Sequence, residues 1–113
     1  MTTVRIWQDA NNNLIRAFEL CGHANYAKFG KDIVCSAISV LATTTVNSIE
    51  SLTDDKIDVS SDPKMGLIRC VFKNAPSNEA NLLVNSMIIG LTQIQQEYGN
   101  KFIEIIFEEV SYA

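Results

Sequence analysis

The chain has 113 residues, 47% of them hydrophobic and 19% charged, with a formal net charge of −4. That is enough apolar material for one core, so a disordered or low-complexity chain is excluded, and the acidic balance argues against direct nucleic-acid binding, which draws its affinity mainly from Lys and Arg. The longest apolar runs are interrupted at Asn85 and Ser86, short of the roughly 20 residues of a membrane span, and the opening Met-Thr-Thr-Val-Arg-Ile has no secretory pattern.

A cytoplasmic protein without a membrane partner is expected, folded as a single domain over residues 1–113. Its three cysteines, Cys21, Cys35 and Cys70, are odd in number and are spaced neither as a disulfide framework nor as a redox pair.

Residues 2–8 alternate, with Val4 and Ile6 on one side and Thr3, Arg5 and Trp7 on the other, as a strand does. Asn11-Asn12-Asn13 supplies a turn, and residues 14–21 complete a hairpin. From Val34 the period changes. Val34, Ile38, Leu41, Thr45, Ile49 and Leu52 recur at steps of three and four, which predicts a helix over 33–52 with Asp32 as its N-cap. A short extended piece at 57–60, a turn through Pro63 and Gly66, and a strand at 67–73 form a second hairpin.

Ser77 and Glu79 open a second helix that Gly99 ends, and Ala80, Val84, Met87, Leu91, Ile94 and Tyr98 form its stripe. Leu82, Leu83, Ile88 and Ile89 fall outside that stripe; either a dimer contact or the rest of the fold covers them. A last strand over 101–110 carries Glu104, Glu108 and Glu109. The order β-β-α-β-β-α-β predicts an α+β fold of two layers, two helices packed on a mostly antiparallel sheet.

Residues 21–39 hold the single histidine and two of the three cysteines. A helix starting after Asp32 puts Cys35 near its third position, where unpaired N–H groups and the macrodipole favour a thiolate. His23 precedes a connection long enough to return beside it. A Cys with a nearby His is the minimal arrangement for covalent acyl transfer. Three other readings stand beside it. Cys35 can be a small buried hydrophobe and His23 a structural residue; Cys21, His23, Cys35 and Asp32 can be zinc ligands, although not at the spacing of common fingers; and Cys21 can compete as nucleophile. Cys70 shares a face with Ile68 and Phe72 and belongs to the core.

The run Gly22-His23-Ala24, then Gly30, then Asp32-Ile33-Val34-Cys35-Ser36-Ala37-Ile38-Ser39 resembles the signature of the bacterial ribosomal-processing cysteine protease (Prp) family, and length and element order match along the whole chain. The resemblance implies a homodimeric cytosolic endopeptidase that removes the N-terminal extension of large-subunit ribosomal protein twenty-seven, with no metal and no organic cofactor. It implies Cys35 as nucleophile and His23 as general base and acid, with Asp32 and Ser39 at the family's other active-site positions. Ser36 stands where Ala is common. The segment 24–31, with Tyr26, Lys28, Phe29, Gly30 and Lys31 between glycine hinges, then reads as a loop that orders over a bound peptide, and Gly22 as the residue that keeps the approach clear. A non-catalytic ribosome-associated module that holds the same peptide is the alternative.

Overall fold

The computed structural model describes residues 1–22 and 31–111, and for Lys31 and Asp32 the backbone only. Among the described residues the order is β1 (Thr2–Asp9), β2 (Ile15–Cys21), α1 (Lys31–Leu52), β3 (Ile57–Asp62), β4 (Leu67–Phe72), α2 (Asn78–Tyr98) and β5 (Ile103–Val110). The strands form one five-stranded sheet in the order β3-β4-β2-β1-β5. Three pairings are antiparallel, and β1 and β5 are parallel. The expected α+β class and element order hold.

The β1–β2 hairpin turns through Asn13 at φ 62°, a left-handed conformation that Asn tolerates better than most residues. Asn13 N–H donates to the Asp9 carbonyl and Asp9 N–H to the Leu14 carbonyl, both at 2.8 Å. Alternation along β1 sends Val4 and Ile6 into the core at 0% exposure and leaves Arg5 on the open face, where it pairs with Glu108 at 2.9 Å. On the same open face Arg69 pairs with Glu19.

Both helices cover the other face. α2 follows its expected stripe: Ala80, Val84, Met87, Leu91 and Ile94 are buried. Ser77 is its N-cap, with its hydroxyl accepting from the Ala80 N–H at 3.1 Å, and Gly99 ends it with a bond to the Gln95 carbonyl. Leu83 and Ile88 pack against the core, whereas Leu82 and Ile89 stand open at 70% and 63% exposure.

α1 departs from expectation at its start. It begins at Lys31, which makes Asp32 its second residue rather than its N-cap and Cys35 its fifth rather than its third. Val34, Ile38, Ala42, Thr45, Val46 and Ile49 form the buried stripe, and Leu52 is exposed. By length and composition Ile33–Leu52 could cross a membrane; here its apolar face is committed to the sheet and α2. Cys70 is fully buried in the core.

Candidate active site

The pairing registers bring three chain segments to one end of the sheet. Thr3 pairs with Cys21 and Leu20 with Ile68, so the start of β1, the end of β2 and the turn between β3 and β4 meet. Gly22 is the junction. Its N–H donates to the Met65 carbonyl at 2.9 Å, and its carbonyl accepts from Thr2 Oγ1 at 3.4 Å. Its φ is +100°, and a Cβ there would lie 2.4 Å from the Met1 carbonyl oxygen. No other residue type fits that approach without moving backbone. The constraint that this geometry places on Gly22 is a different one from the expected clear approach for a peptide: it lets β1 pass against β2.

The N-terminal half of α1 lies over this end. Between them is a cleft of about 380 Å³ lined by Cys35, Ile38, Ser39, Ala42 and Thr43 of α1. Thr2, Leu20 and Gly22 line its sheet side, and Ser61, Pro63, Gly66, Leu67 and Ile68 close it from the β3–β4 hairpin. Rotation of α1 is set by its buried residues. Val34 at 0% and Ile38 at 5% exposure point into the core, and a step of about 100° per residue turns Cys35 and Ser39 toward the cleft. Cys35 is half-buried and Ser39 exposed. The thiol leaves the start of the second turn of α1, and helix side chains lean toward the helix N-terminus and the positive end of the dipole.

Of the expected site residues, the structure thus brings Gly22, Cys35 and Ser39 together. Asp32 lies in the first turn of α1 by its backbone, where a carboxylate is favourable at the dipole's positive end. His23, Tyr26, Lys28, Phe29 and Gly30, and the side chains of Lys31 and Asp32, lie outside the described residues. Cys21 does not line the cleft. It follows the inward Leu20 and so leaves the opposite face of the sheet, its Sγ 3.9 Å from the Met65 carbonyl. That placement sets it outside the cleft that Cys35 lines. The three cysteines are thiols, and among the described residues no three of His, Cys, Asp or Glu gather as for a metal ion.

Burial, and secondarily the charge of Glu50, push the Cys70 thiol up to about 12. A thiol that stays protonated at neutral pH is a poor nucleophile, which leaves Cys35 as the cysteine placed for chemistry. The cleft lining includes Thr2, Thr43 and the whole hairpin side, none of which the sequence pointed to. Thr43 was within reach, since it continues the Cys35–Ser39 step of four along one helix face. The hairpin residues were not, because they arrive through the β4–β2 pairing.

A family model described as cysteine protease Prp matches residues 1–103. The ribosomal processing cysteine protease Prp of Staphylococcus aureus (strain Mu50) is 32% identical over 78 residues, covering 69% of this chain and 74% of that protein. The protein of the same description from Bacillus subtilis (strain 168) is 31% identical over 90 residues, 74% of this chain and 79% of that one. The fold is also similar to a crystal structure of an essential ribosomal processing protease Prp from S. aureus in complex with a covalently linked product peptide. The TM-score is 0.87 at 29% identity, over 96% of this chain and 100% of that one.

Proposed function

The chain belongs to the cysteine protease Prp family, and from that premise we propose that it is a cytosolic endopeptidase that removes the N-terminal extension of large-subunit ribosomal protein twenty-seven through a Cys35–His23 dyad. The observation that carries this reading is the Cys35 thiol near the start of α1, opening into a cleft whose described lining is uncharged and large enough for a peptide segment.

In the proposed reaction, His23 takes the thiol proton and the Cys35 sulfur attacks the carbonyl carbon of the scissile peptide bond. The electron pair moves to the oxygen, and the first N–H groups of α1, which have no partner within the helix itself, offer that oxyanion hydrogen bonds. As the tetrahedral species collapses, the C–N bond breaks and the imidazolium gives its proton to the departing amine. A thioester remains on Cys35. Water, deprotonated by His23, attacks that carbonyl, and the thiol leaves with the proton returned. Asp32 carries a carboxylate that the dipole favours in the first turn and can orient His23, and Ser39, one turn from Cys35, offers a hydroxyl beside the sulfur. The segment with Tyr26, Lys28, Phe29, Gly30 and Lys31 orders over the peptide. No metal or organic cofactor enters any step, and nucleic acid and membrane are not partners. Exposed Leu82 and Ile89 on α2 with Ile33 and Val40 on α1 support a homodimer.

The test is mass spectrometry of a peptide spanning the N-terminal extension of the organism's own large-subunit protein twenty-seven, incubated under reducing conditions with the parent chain, Cys35→Ala and His23→Ala. One cut after an aromatic residue, absent with both variants, is expected. Binding without cutting by all three would replace the enzyme with a peptide-holding module.

A further inference from the structure

Cys35 stands at one end of the cleft, and the lining continues along α1 through Ser39 to Thr43. These residues are four and eight positions on from Cys35, so they lie on one face of the helix. At 1.5 Å rise per residue the line from Cys35 to Thr43 is about 12 Å long. An extended peptide advances roughly 3.3 Å per residue. A peptide lying along this line therefore meets Thr43 three to four residues from the bond that faces Cys35.

Thr43 is exposed on the α1 wall. The facing wall is the β3–β4 hairpin with Ser61, Pro63 and Gly66, and the floor is Leu20, Ile38 and Ala42. Among the described lining residues there is no Asp, Glu, Lys, Arg or His. Such a channel has hydroxyls for backbone groups and aliphatic carbon for side chains, and nothing to pair with a charge, so a charged substrate residue entering it loses water without compensation.

We propose that Thr43 is a specificity-determining residue, in contact with the substrate residue three or four positions from the scissile bond and selecting there for an uncharged side chain. The inference rests on the endopeptidase reading above and adds a position and a chemistry to it. It also divides the α1 face by role: Cys35 reacts, and Thr43 reads sequence at a distance.

The experiment transplants a charge. Thr43→Lys and Thr43→Glu are assayed with the parent against variants of the cleaved peptide that carry a single Asp or Lys at the third or fourth residue on either side of the cut. Both substitutions fall on an exposed helix position, and unfolding midpoints close to that of the parent check that the fold is kept. The parent is expected to cut both charged peptides more slowly than the neutral one. In Thr43→Lys the ratio of kcat/KM for the Asp over the Lys peptide rises about three- to tenfold at one position, the size of exposed charge pairs. In Thr43→Glu the same ratio falls by a similar factor, and added salt shrinks both changes. If all chains cut the peptides with ratios unmoved at every position, the inference is overturned and the endopeptidase reading stands. If the parent does not cut even the neutral peptide, the endopeptidase reading fails and the inference with it.

Discussion

Gly22 and Gly99 form a natural pair for separating backbone strain from steric conflict. Their φ angles are +100° and +102°, yet a Cβ at Gly99 meets nothing within 4 Å while one at Gly22 meets the Met1 carbonyl oxygen at 2.4 Å. Replacing either with Ala imposes the positive-φ cost of roughly 1–2 kcal/mol. Gly22→Ala must also push two backbones apart by most of an ångström. Met1 is half exposed, but Thr2 behind it is 3% exposed and anchored by its N–H on the Phe102 carbonyl at 3.0 Å, so the retreat is resisted. The bonds at risk are Gly22 N–H to Met65 and Thr2 Oγ1 to Gly22, each worth about 0.5–1.5 kcal/mol. Gly22→Ala is therefore expected to lose about 1–2 kcal/mol more than Gly99→Ala. Urea unfolding of both variants measures that gap, which in a thermal scan corresponds to about 4–8 °C per kcal/mol for a domain near this size. Because Gly22 is bonded to His23, its variant should also lose peptide cleavage while Gly99→Ala keeps it. Equal destabilisation of the two variants would refute the close approach of Met1 as the reason for glycine.

Iodoacetamide labelling of the native chain at neutral pH is expected to modify Cys35 and spare Cys70 until denaturant is added; early labelling of Cys70 would contradict its burial. A thiol at about 12 in the folded chain against an ordinary 9.0 stabilises the fold below pH 9, and that contribution is lost as pH rises from about 9 toward 12, since only the unfolded chain releases the proton there. Cys70→Ala should flatten the alkaline limb of stability against pH. At the other extreme, burial by itself would raise the Asp55 carboxyl, but hydrogen bonds from the Ser77 hydroxyl and N–H and from Thr53 outweigh it and hold it below 3.8. Asp55 thereby joins the start of β3 to the N-cap of α2. Its stabilisation is present above about pH 4 and lost as pH falls through the lowered value. A double-mutant cycle of Asp55→Asn with Ser77→Ala should give a coupling of about 0.5–3 kcal/mol at pH 7 that shrinks as pH falls through the lowered value; simple additivity at pH 7 would remove the link.

Periodicity made most of the fold legible, and the exceptions have identifiable causes. α2 was readable to its caps because Ser77, Glu79 and Gly99 announce both ends and its five buried residues keep a strict step. α1 was readable in its stripe but not in its first turn. Asp32 is a good capping residue by type, yet the helix starts two residues earlier than expected, and an Asp in the first turn is also favoured by the dipole, so residue type alone does not separate the two positions. The site divides the same way. Cys35 and Ser39 follow from local spacing on α1. The opposite wall belongs to a hairpin some thirty residues away in sequence, brought there by the Leu20–Ile68 register, and no local pattern encodes a strand order in which β4 lies beside β2.

The placement of the thiol follows from packing rather than from anything at the site itself. Val34 and Ile38 have nowhere to go but the space between the sheet and α2, and their burial at 0% and 5% fixes the rotation of α1 about its axis. Cys35 and Ser39 each come one residue later and are carried to the cleft as a consequence. Glycine at position 22 works toward the same end from the sheet side, since it lets the first strand close against the second and so sets where the chain leaves toward His23. Two features with no part in bond breaking, an apolar stripe and a positive-φ glycine, thus set the frame in which a cysteine and a histidine twelve positions apart in sequence are proposed to meet.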